Sequence, residues 1–166
     1  GGRMEINDLI QKFSDSTENQ CKALFSTLFI AENRLQTIFD NTIPELSLKQ
    51  FMLLTMVRQS KDHPTFTQLG RLLGCSRQNI KKLALALEKK GFVTIAPCQQ
   101  DARASSIYPT SKLNDYFENV FTTYQEDLRF LFEVYSEEEI AQLFRLMMKL
   151  YKGIENLESK TGKKEN

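Results

Sequence analysis

The feature that most constrains this sequence is a change of hydrophobic period between residues 47 and 109. Apolar residues first recur at the three- and four-residue spacing of helices and then alternate as they do in strands. Capping boxes, in which Gln or Glu follows a hydroxyl residue three positions later, begin at Ser47, Thr65 and Ser136, and Ser76 is a cap without that partner. This pattern predicts helices followed by a β-hairpin in the middle of the chain.

The same reading extends to both ends of the chain and gives a mainly helical prediction. A short helix is predicted near the N-terminus, then a long helix, and two more long helices follow the hairpin. All four prolines are predicted to lie between elements, where a missing N–H does no harm. The predicted helices before the hairpin are one over 6–13, a long one that ends near Asn41, one over 48–59 and two short ones on either side of Gly74. The predicted strands cover 92–96 and 105–108. After them we expect a helix of about 25 residues that reaches Tyr135, and then a last helix.

The charge is divided unevenly along the chain. The formal net charge is +1, from 22 Lys and Arg against 21 Asp and Glu. Residues 49–112 carry 11 basic and 3 acidic side chains, a net +8, whereas residues 1–48 carry −3 and residues 113–166 carry −4. A basic segment between acidic ends indicates contact with nucleic acid.

Several classes of protein are excluded by composition. No apolar run reaches the roughly 18 to 20 residues of a membrane span, so no membrane partner is expected. The three cysteines (Cys21, Cys75 and Cys98) are odd in number and widely spaced, and His63 is the single histidine, which fits neither a disulfide framework nor a zinc site. We therefore expect a cytoplasmic protein with reduced thiols that is not an enzyme and needs no metal or cofactor.

Two glycines define the helix pair in the basic segment. Gly70 supplies a small residue where two helices approach, and Gly74 tolerates the left-handed geometry of the turn. A helix pair followed by a hairpin is the winged helix-turn-helix arrangement. The predicted fold class is thus mainly α (α+β), with a winged helix-turn-helix DNA-binding domain.

The second helix of the pair has one apolar and one polar face. At about 100° per residue, Leu83, Ala84 and Leu87 fall on the side of Ile80. Arg and Gln can bond base edges, Lys neutralises phosphates, and the cap at Ser76 leaves free N–H groups that can hold a phosphate. The alternative is an ordinary solvated Lys-rich face. The polar face of this helix, opposite the apolar one, carries Arg77, Gln78, Lys81, Lys82 and Lys89.

The loop between the strands carries Asp101 and Arg103. An Arg at the tip of a wing suits the narrow, negative minor groove of DNA. Asp101 is expected to structure the wing by accepting a hydrogen bond from Arg103 or from a backbone N–H. The alternative is an Asx-type turn beside an unrelated surface Arg.

The segment from Leu48 to Leu113 resembles the multiple antibiotic resistance regulator (MarR) family of bacterial transcription factors. Its most specific matches are L-E-K-K-G-F-V at 87–93 and the D-x-R wing at 101–103, beside Thr67-x-Leu69-Gly70 and S-R-Q-N-I at 76–80. Two features depart from the family: Ala104-Ser105-Ser106 replaces further wing Arg residues, and Leu113 stands where a glycine is usual.

The resemblance implies a homodimer whose terminal helices interlock and whose two winged helices bind a pseudo-palindromic operator in double-stranded DNA. It places the second helix in the major groove and Arg103 in the minor groove. Thr65 and Ser76, at the starts of the two helices, complete the predicted DNA-binding set: Thr65, Ser76, Arg77, Gln78, Asn79, Lys81, Lys82 and Arg103.

The distribution of aromatic residues also favours a dimer. Nine of the 17 Phe and Tyr residues lie between Tyr116 and Tyr151, more apolar surface than one small winged helix covers. The alternative is a monomeric helical cap. The predicted domains are N-terminal dimerisation helices (4–46), a winged-helix DNA-binding domain (47–110), C-terminal dimerisation helices (111–158) and a flexible tail (159–166).

The predicted function is a homodimeric, sequence-specific transcriptional regulator, a repressor relieved by a small aromatic or anionic effector. One alternative is an oxidant-sensing repressor that uses Cys21 as its redox thiol, although Cys21 also continues the apolar stripe of its helix and is expected to be buried. A second alternative is a winged helix that binds proteins and not DNA, which the exposed position of Leu85 favours.

Overall fold

The computed structural model describes residues 2–12 and 14–162, in which seven helices and one two-stranded antiparallel sheet form. The mainly helical fold with a single hairpin, predicted from the sequence, is confirmed. Phe13, assigned to the first predicted helix, lies outside the described residues. The elements are α1 (Ile6–Gln11), α2 (Thr17–Thr42), α3 (Leu48–Gln59), α4 (Phe66–Leu73), α5 (Arg77–Lys89), β1 (Val93–Pro97), β2 (Ser105–Pro109), α6 (Ser111–Phe132) and α7 (Glu137–Thr161).

Helix starts follow the capping residues. The boxes at Ser47, Thr65 and Ser136 are complete, because each hydroxyl accepts from the third backbone N–H and the Gln or Glu side chain returns the bond. Ser76 caps α5 by accepting from the backbone N–H of Asn79 at 3.1 Å. Ser16 caps α2 in the same way. These bonds satisfy N–H groups that have no partner inside the helix.

The chain divides into two compact units between Phe117 and Glu118, inside α6. In the first unit, side chains from α3, α4, α5 and both strands form one core. Burying apolar surface is the main favourable term for such a domain. Its fully buried side chains include Phe51, Leu53, Leu54, Leu69, Ile80, Leu87, Phe92, Ile107 and Leu113.

The prediction that all four prolines lie between elements was wrong for Pro97 and Pro109. Val93 pairs with Pro109 and Pro97 with Ser105, so both prolines end strands and do not lie between elements. In a two-stranded sheet every strand is an edge strand, and an edge tolerates a residue without an N–H. The first strand, 93–97, is shifted by one residue from the predicted 92–96, and the second, 105–109, is one residue longer than the predicted 105–108.

The turn between α4 and α5 has the predicted glycine geometry. Gly74 has φ 71° and ψ 31°, a left-handed conformation that a Cβ would strain. A Cβ built on Gly70 would lie 2.5 Å from the backbone oxygen of Cys75. The turn at Cys75 passes this close to α4 because position 70 carries no side chain.

Hydrogen bonds hold the segment between α2 and α3 against the rest of the first unit. The hydroxyl of Tyr116 in α6 donates to the carbonyl oxygen of Pro44 at 2.6 Å, and the ammonium of Lys90 donates to that of Glu45 at 2.6 Å. Burial, followed by the charge of Glu45, raises the pKa of Tyr116 to about 12. Tyr116 thus keeps its proton for this bond throughout the ordinary pH range.

The second unit consists of the remainder of α6 and of α7. None of the described residues from 118 to 162 is buried. Tyr135 lies beyond the end of α6 at Phe132, so that helix is shorter than predicted, whereas α7 continues to Thr161, into the predicted tail. The large apolar side chains exposed in this unit include Phe121, Phe130, Val134, Phe144, Leu146, Tyr151 and Leu157.

Cys21 is exposed, which corrects the expectation of a buried thiol. It does lie on α2 with the apolar residues Leu24, Phe25 and Leu28, but these are exposed as well, and Phe39 is the one buried residue of that helix among those described. In residues 2–12 and 14–162, no helix is both long enough and apolar enough to cross a membrane.

Candidate nucleic-acid interface

Helix α5 is fixed by its apolar face and presents a polar one. Ile80, Ala84 and Leu87 are fully buried, and Leu83 is half-buried. The opposite face is solvent-exposed because these anchors recur at helical spacing. The exposed residues are Arg77, Gln78, Asn79, Lys81, Lys82, Leu85 and Lys89, so every residue assigned to this face by the sequence is accessible.

Backbone and side-chain hydrogen bonds shape the tip of the wing. The N–H of Cys98 donates to the carbonyl of Ala104 at 2.9 Å, and the N–H of Ala104 donates to that of Asp101 at 3.0 Å. The carboxylate of Asp101 accepts from Arg103 twice, from Nε at 3.1 Å and from the backbone N–H at 3.0 Å. The tip is therefore a closed turn whose geometry depends on Asp101.

The Arg103 side chain is 92% exposed although it contacts Asp101. The hydrogen bonds from its guanidinium and then from its backbone N–H lower the pKa of Asp101 below its ordinary value. A solvent-exposed ion pair of this kind contributes little to stability. It leaves the remaining guanidinium N–H groups available to an anion beside the wing.

A groove of about 350 Å³ brings three elements together. Thr65 and Thr67 come from the start of α4, Arg77 from the start of α5, and Arg103 from the wing. With Ser105, two guanidinium groups and three hydroxyls line one surface beside the carboxylate of Asp101, although Thr65 and Arg103 are far apart in sequence. The guanidinium and hydroxyl groups are donors suited to phosphate oxygens and base edges.

Thr67 and Ser105 line this groove but were not among the predicted site residues. Thr67 follows the cap residue Thr65, which is itself half-buried and accepts from the N–H of Gln68. Thr65 also forms an isolated bridge with Ser106 of the second strand, which brings α4 and the wing together. No local sequence signal shows this long-range contact, so the role of position 67 was not predictable.

A second cavity, of about 950 Å³, lies between the loop before α4 and the base of the wing. Lys61, His63, Arg71 and Cys98 are among its lining residues. His63 is half-buried, with its ring centroid 4.4 Å from that of Tyr108.

The surroundings of Cys21 and Cys98 and the grouping of possible metal ligands bear on redox and metal chemistry. Lys22, the one charge adjacent in sequence to Cys21, forms an ion pair with Glu18 at 3.4 Å. Cys98 is buried at the base of the wing, where the nearby hydroxyl of Ser106 and then the backbone of Gln100 and Asp101 lower the pKa of its thiol. Across the described ranges, no three His, Cys, Asp or Glu side chains form a group that could hold a metal ion.

The part of the chain that contains α3, α4, α5 and the wing matches a family of known proteins. Residues 46–105 match the model of the MarR family. The chain contains a MarR-family domain. The L-E-K-K-G-F-V run and the D-x-R wing, on which the resemblance was based, lie inside this match, and the MarR assignment predicted from the sequence is confirmed.

Solved MarR structures share the fold over most of their length. A MarR/EmrR family transcriptional regulator from Acinetobacter sp. ADP1 is 18% identical, with a TM-score of 0.71 over 81% of this chain and 96% of that one. MepR of S. aureus, in a DNA complex, is 20% identical, with a TM-score of 0.68 over 78% and 97%. A mutant MarR from E. coli, complexed with operator DNA, is 19% identical, with a TM-score of 0.69 over 82% and 99%. At these identities the similarity establishes the fold.

Proposed function

We propose that this protein, whose residues 46–105 match the MarR family, is a homodimeric, sequence-specific DNA-binding transcriptional regulator. The groove lined by Arg77 of α5 and Arg103 of the wing carries this proposal, because two guanidinium groups from different elements lie on one surface. In the proposed complex Arg77 bonds base edges in the major groove and Arg103 enters the minor groove. The net charge of +8 on residues 49–112 supplies the attraction for phosphates. Solved relatives bound to DNA, MepR and MarR, add support from the same fold.

Dimerisation is proposed from the apolar surface that one chain leaves exposed. Phe144 is 65% and Tyr151 is 61% exposed on α7, and Phe25 is 64% exposed on α2. Large apolar side chains left exposed on a helix indicate an interaction site. A second copy is the proposed partner, since homo-oligomers with two-fold symmetry are the commonest assemblies and two chains give the symmetry of a pseudo-palindromic operator.

We further propose that the protein is a repressor, active in the cytoplasm and not an enzyme, whose DNA binding a small aromatic or anionic molecule relieves. The cavity of about 950 Å³ beside the wing has a volume within the range of small-molecule sites, and Lys61 and Arg71 line it. An effector that favours a conformation unable to bind DNA would shift the population away from the operator.

The experiment that tests this proposal is selection of duplexes from a random pool by the full chain at moderate salt. We expect enrichment of an inverted repeat whose half-sites lie about 10 base pairs apart, the spacing of two recognition helices in successive major grooves. A pool that stays random after repeated cycles, while the protein binds another protein through α5, would instead favour the interaction module indicated by the exposed Leu85.

A further inference from the structure

We propose that Glu88 is a positioning residue that holds the wing against α5, so that Arg103 and Arg77 reach the same DNA site together. This inference rests on the proposed DNA-binding function. It assigns a role to the acidic residue of the L-E-K-K-G run, which neither the predicted recognition face nor the wing tip uses.

The contact is short and joins two elements. The Oε2 of Glu88, near the end of α5, accepts a hydrogen bond from the backbone N–H of Ile95 in β1 at 2.7 Å. A bond between a carboxylate and a backbone N–H is stronger than one between neutral groups. The carboxylate thus pairs a backbone donor on a strand that has only one neighbouring strand in its sheet.

The two strands of the wing are attached differently. On β2, Ser106 and Ile107 are fully buried, and Ser106 forms a bridge with Thr65. On β1, Ile95 is half-buried and donates to the exposed side chain of Glu88. The second strand is therefore fixed in the core at its centre, whereas the first is fixed in the core at its start, by Val93, and contacts α5 at the surface further along, at Ile95.

Ile95 is well placed to control the tip. It lies two residues before Pro97, the last residue of β1, which is about 7 Å of strand at the usual rise per residue. The tip loop that carries Arg103 follows directly. A small change of strand direction at Ile95 therefore displaces Arg103 relative to Arg77 across the groove that both residues line.

The charge of Glu88 supports a structural role. Residues 49–112 contain three acidic side chains, Asp62, Glu88 and Asp101. A carboxylate on a surface that faces phosphates opposes binding. Two of the three accept backbone N–H groups of the wing: Glu88 from Ile95 and Asp101 from Arg103. The geometry explains why acidic residues occur at these two positions in a basic segment.

A double-mutant cycle on the duplex selected above tests the proposal. Arg103→Ala is expected to weaken binding about tenfold in the wild-type background but less than about twofold in Glu88→Ala, because the misplaced wing no longer delivers its arginine. Glu88→Gln is the matched control. Its amide oxygen still accepts from Ile95, so it is expected to keep the full Arg103 effect, whereas simple removal of a repelling charge would make Gln and Ala behave alike.

Hydrogen exchange at the Ile95 amide gives a readout that does not require DNA. It is expected to accelerate in Glu88→Ala and to stay near wild type in Glu88→Gln, with thermal unfolding showing that both variants fold. An undiminished Arg103 effect in Glu88→Ala, or an unchanged Ile95 amide, would overturn the role of Glu88 while leaving DNA binding intact. Absence of any DNA binding by the wild-type chain would overturn the proposed function itself.

Discussion

Replacing Phe144 and Tyr151 together by Glu is expected to convert the proposed dimer into monomers and to abolish tight binding to two-half-site DNA. The two positions are seven residues apart on α7 and so share one face, on which both rings are largely exposed. Each aromatic ring buries about 150–250 Å² at an interface, and a carboxylate in its place would have to lose its hydration. Because a two-fold interface contains these positions from both chains, four aromatic rings are replaced by carboxylates.

The effect on DNA follows from linkage between the two winged helices. When both half-sites are bound by one dimer, the second contact is intramolecular and adds about 10²- to 10⁴-fold to the affinity. We therefore expect the double variant to lose about 100-fold or more on the full site. Its affinity for a duplex with one half-site should change little. Sedimentation equilibrium and fluorescence anisotropy measure the two effects.

The matched control places the same change of charge on the polar side of α7. Gln142→Glu with Lys149→Gln lowers the net charge by two, as the interface variant does, and both positions are exposed and lie opposite Phe144 on the helix. We expect this control to remain dimeric and to bind the full site. If the Phe144 and Tyr151 variant also stays dimeric, the proposed interface on α7 is wrong.

The second large effect is expected at Arg77, compared with Lys82. Arg77 lines the groove with Arg103, and its guanidinium can bond a base edge with two N–H groups. Lys82 is exposed on α5 but does not line this groove. Arg77→Ala should weaken binding to the selected duplex by about 10- to 100-fold and binding to a shuffled duplex much less, because a bidentate base contact contributes about 1–3 kcal/mol of discrimination.

Lys82→Ala provides the contrast. It should weaken the selected and the shuffled duplex by a similar factor, because a phosphate contact carries no sequence information. Parallel titrations of both duplexes at one salt concentration give the ratio for each variant. An Arg77→Ala protein that retains the wild-type ratio between the two duplexes would show that α5 does not read bases through this residue.

The parts of the fold that the sequence predicted well depend on local chemistry. The caps at Ser47, Thr65 and Ser136 and the left-handed turn at Gly74 are set by neighbouring residues, so a single sequence suffices to place them. The strand ends at Pro97 and Pro109 were predicted wrongly because the rule that excludes proline applies to central strands, which have a neighbour on both sides, and not to edge strands.

Features that depend on distant residues were not predictable in the same way. Thr67 and Arg103 line one groove because the bridge between Thr65 and Ser106 brings the start of α4 beside the wing. The exposure of Cys21 has a related cause: periodicity identifies an apolar stripe but does not say whether the same chain or another chain covers it. The bond from Ile95 to Glu88 likewise joins two elements whose relative placement no local pattern defines.

The most direct test of the account is the salt dependence of binding by the wild-type chain to the selected and shuffled duplexes. Each phosphate contact releases counterions, so a plot of log affinity against log salt should fall steeply for both duplexes, by about 0.9 per contact, with several contacts in each protomer. The selected duplex should remain tighter by about 10³-fold or more. A flat plot, or equal affinity for the two duplexes at every salt concentration, would contradict the account.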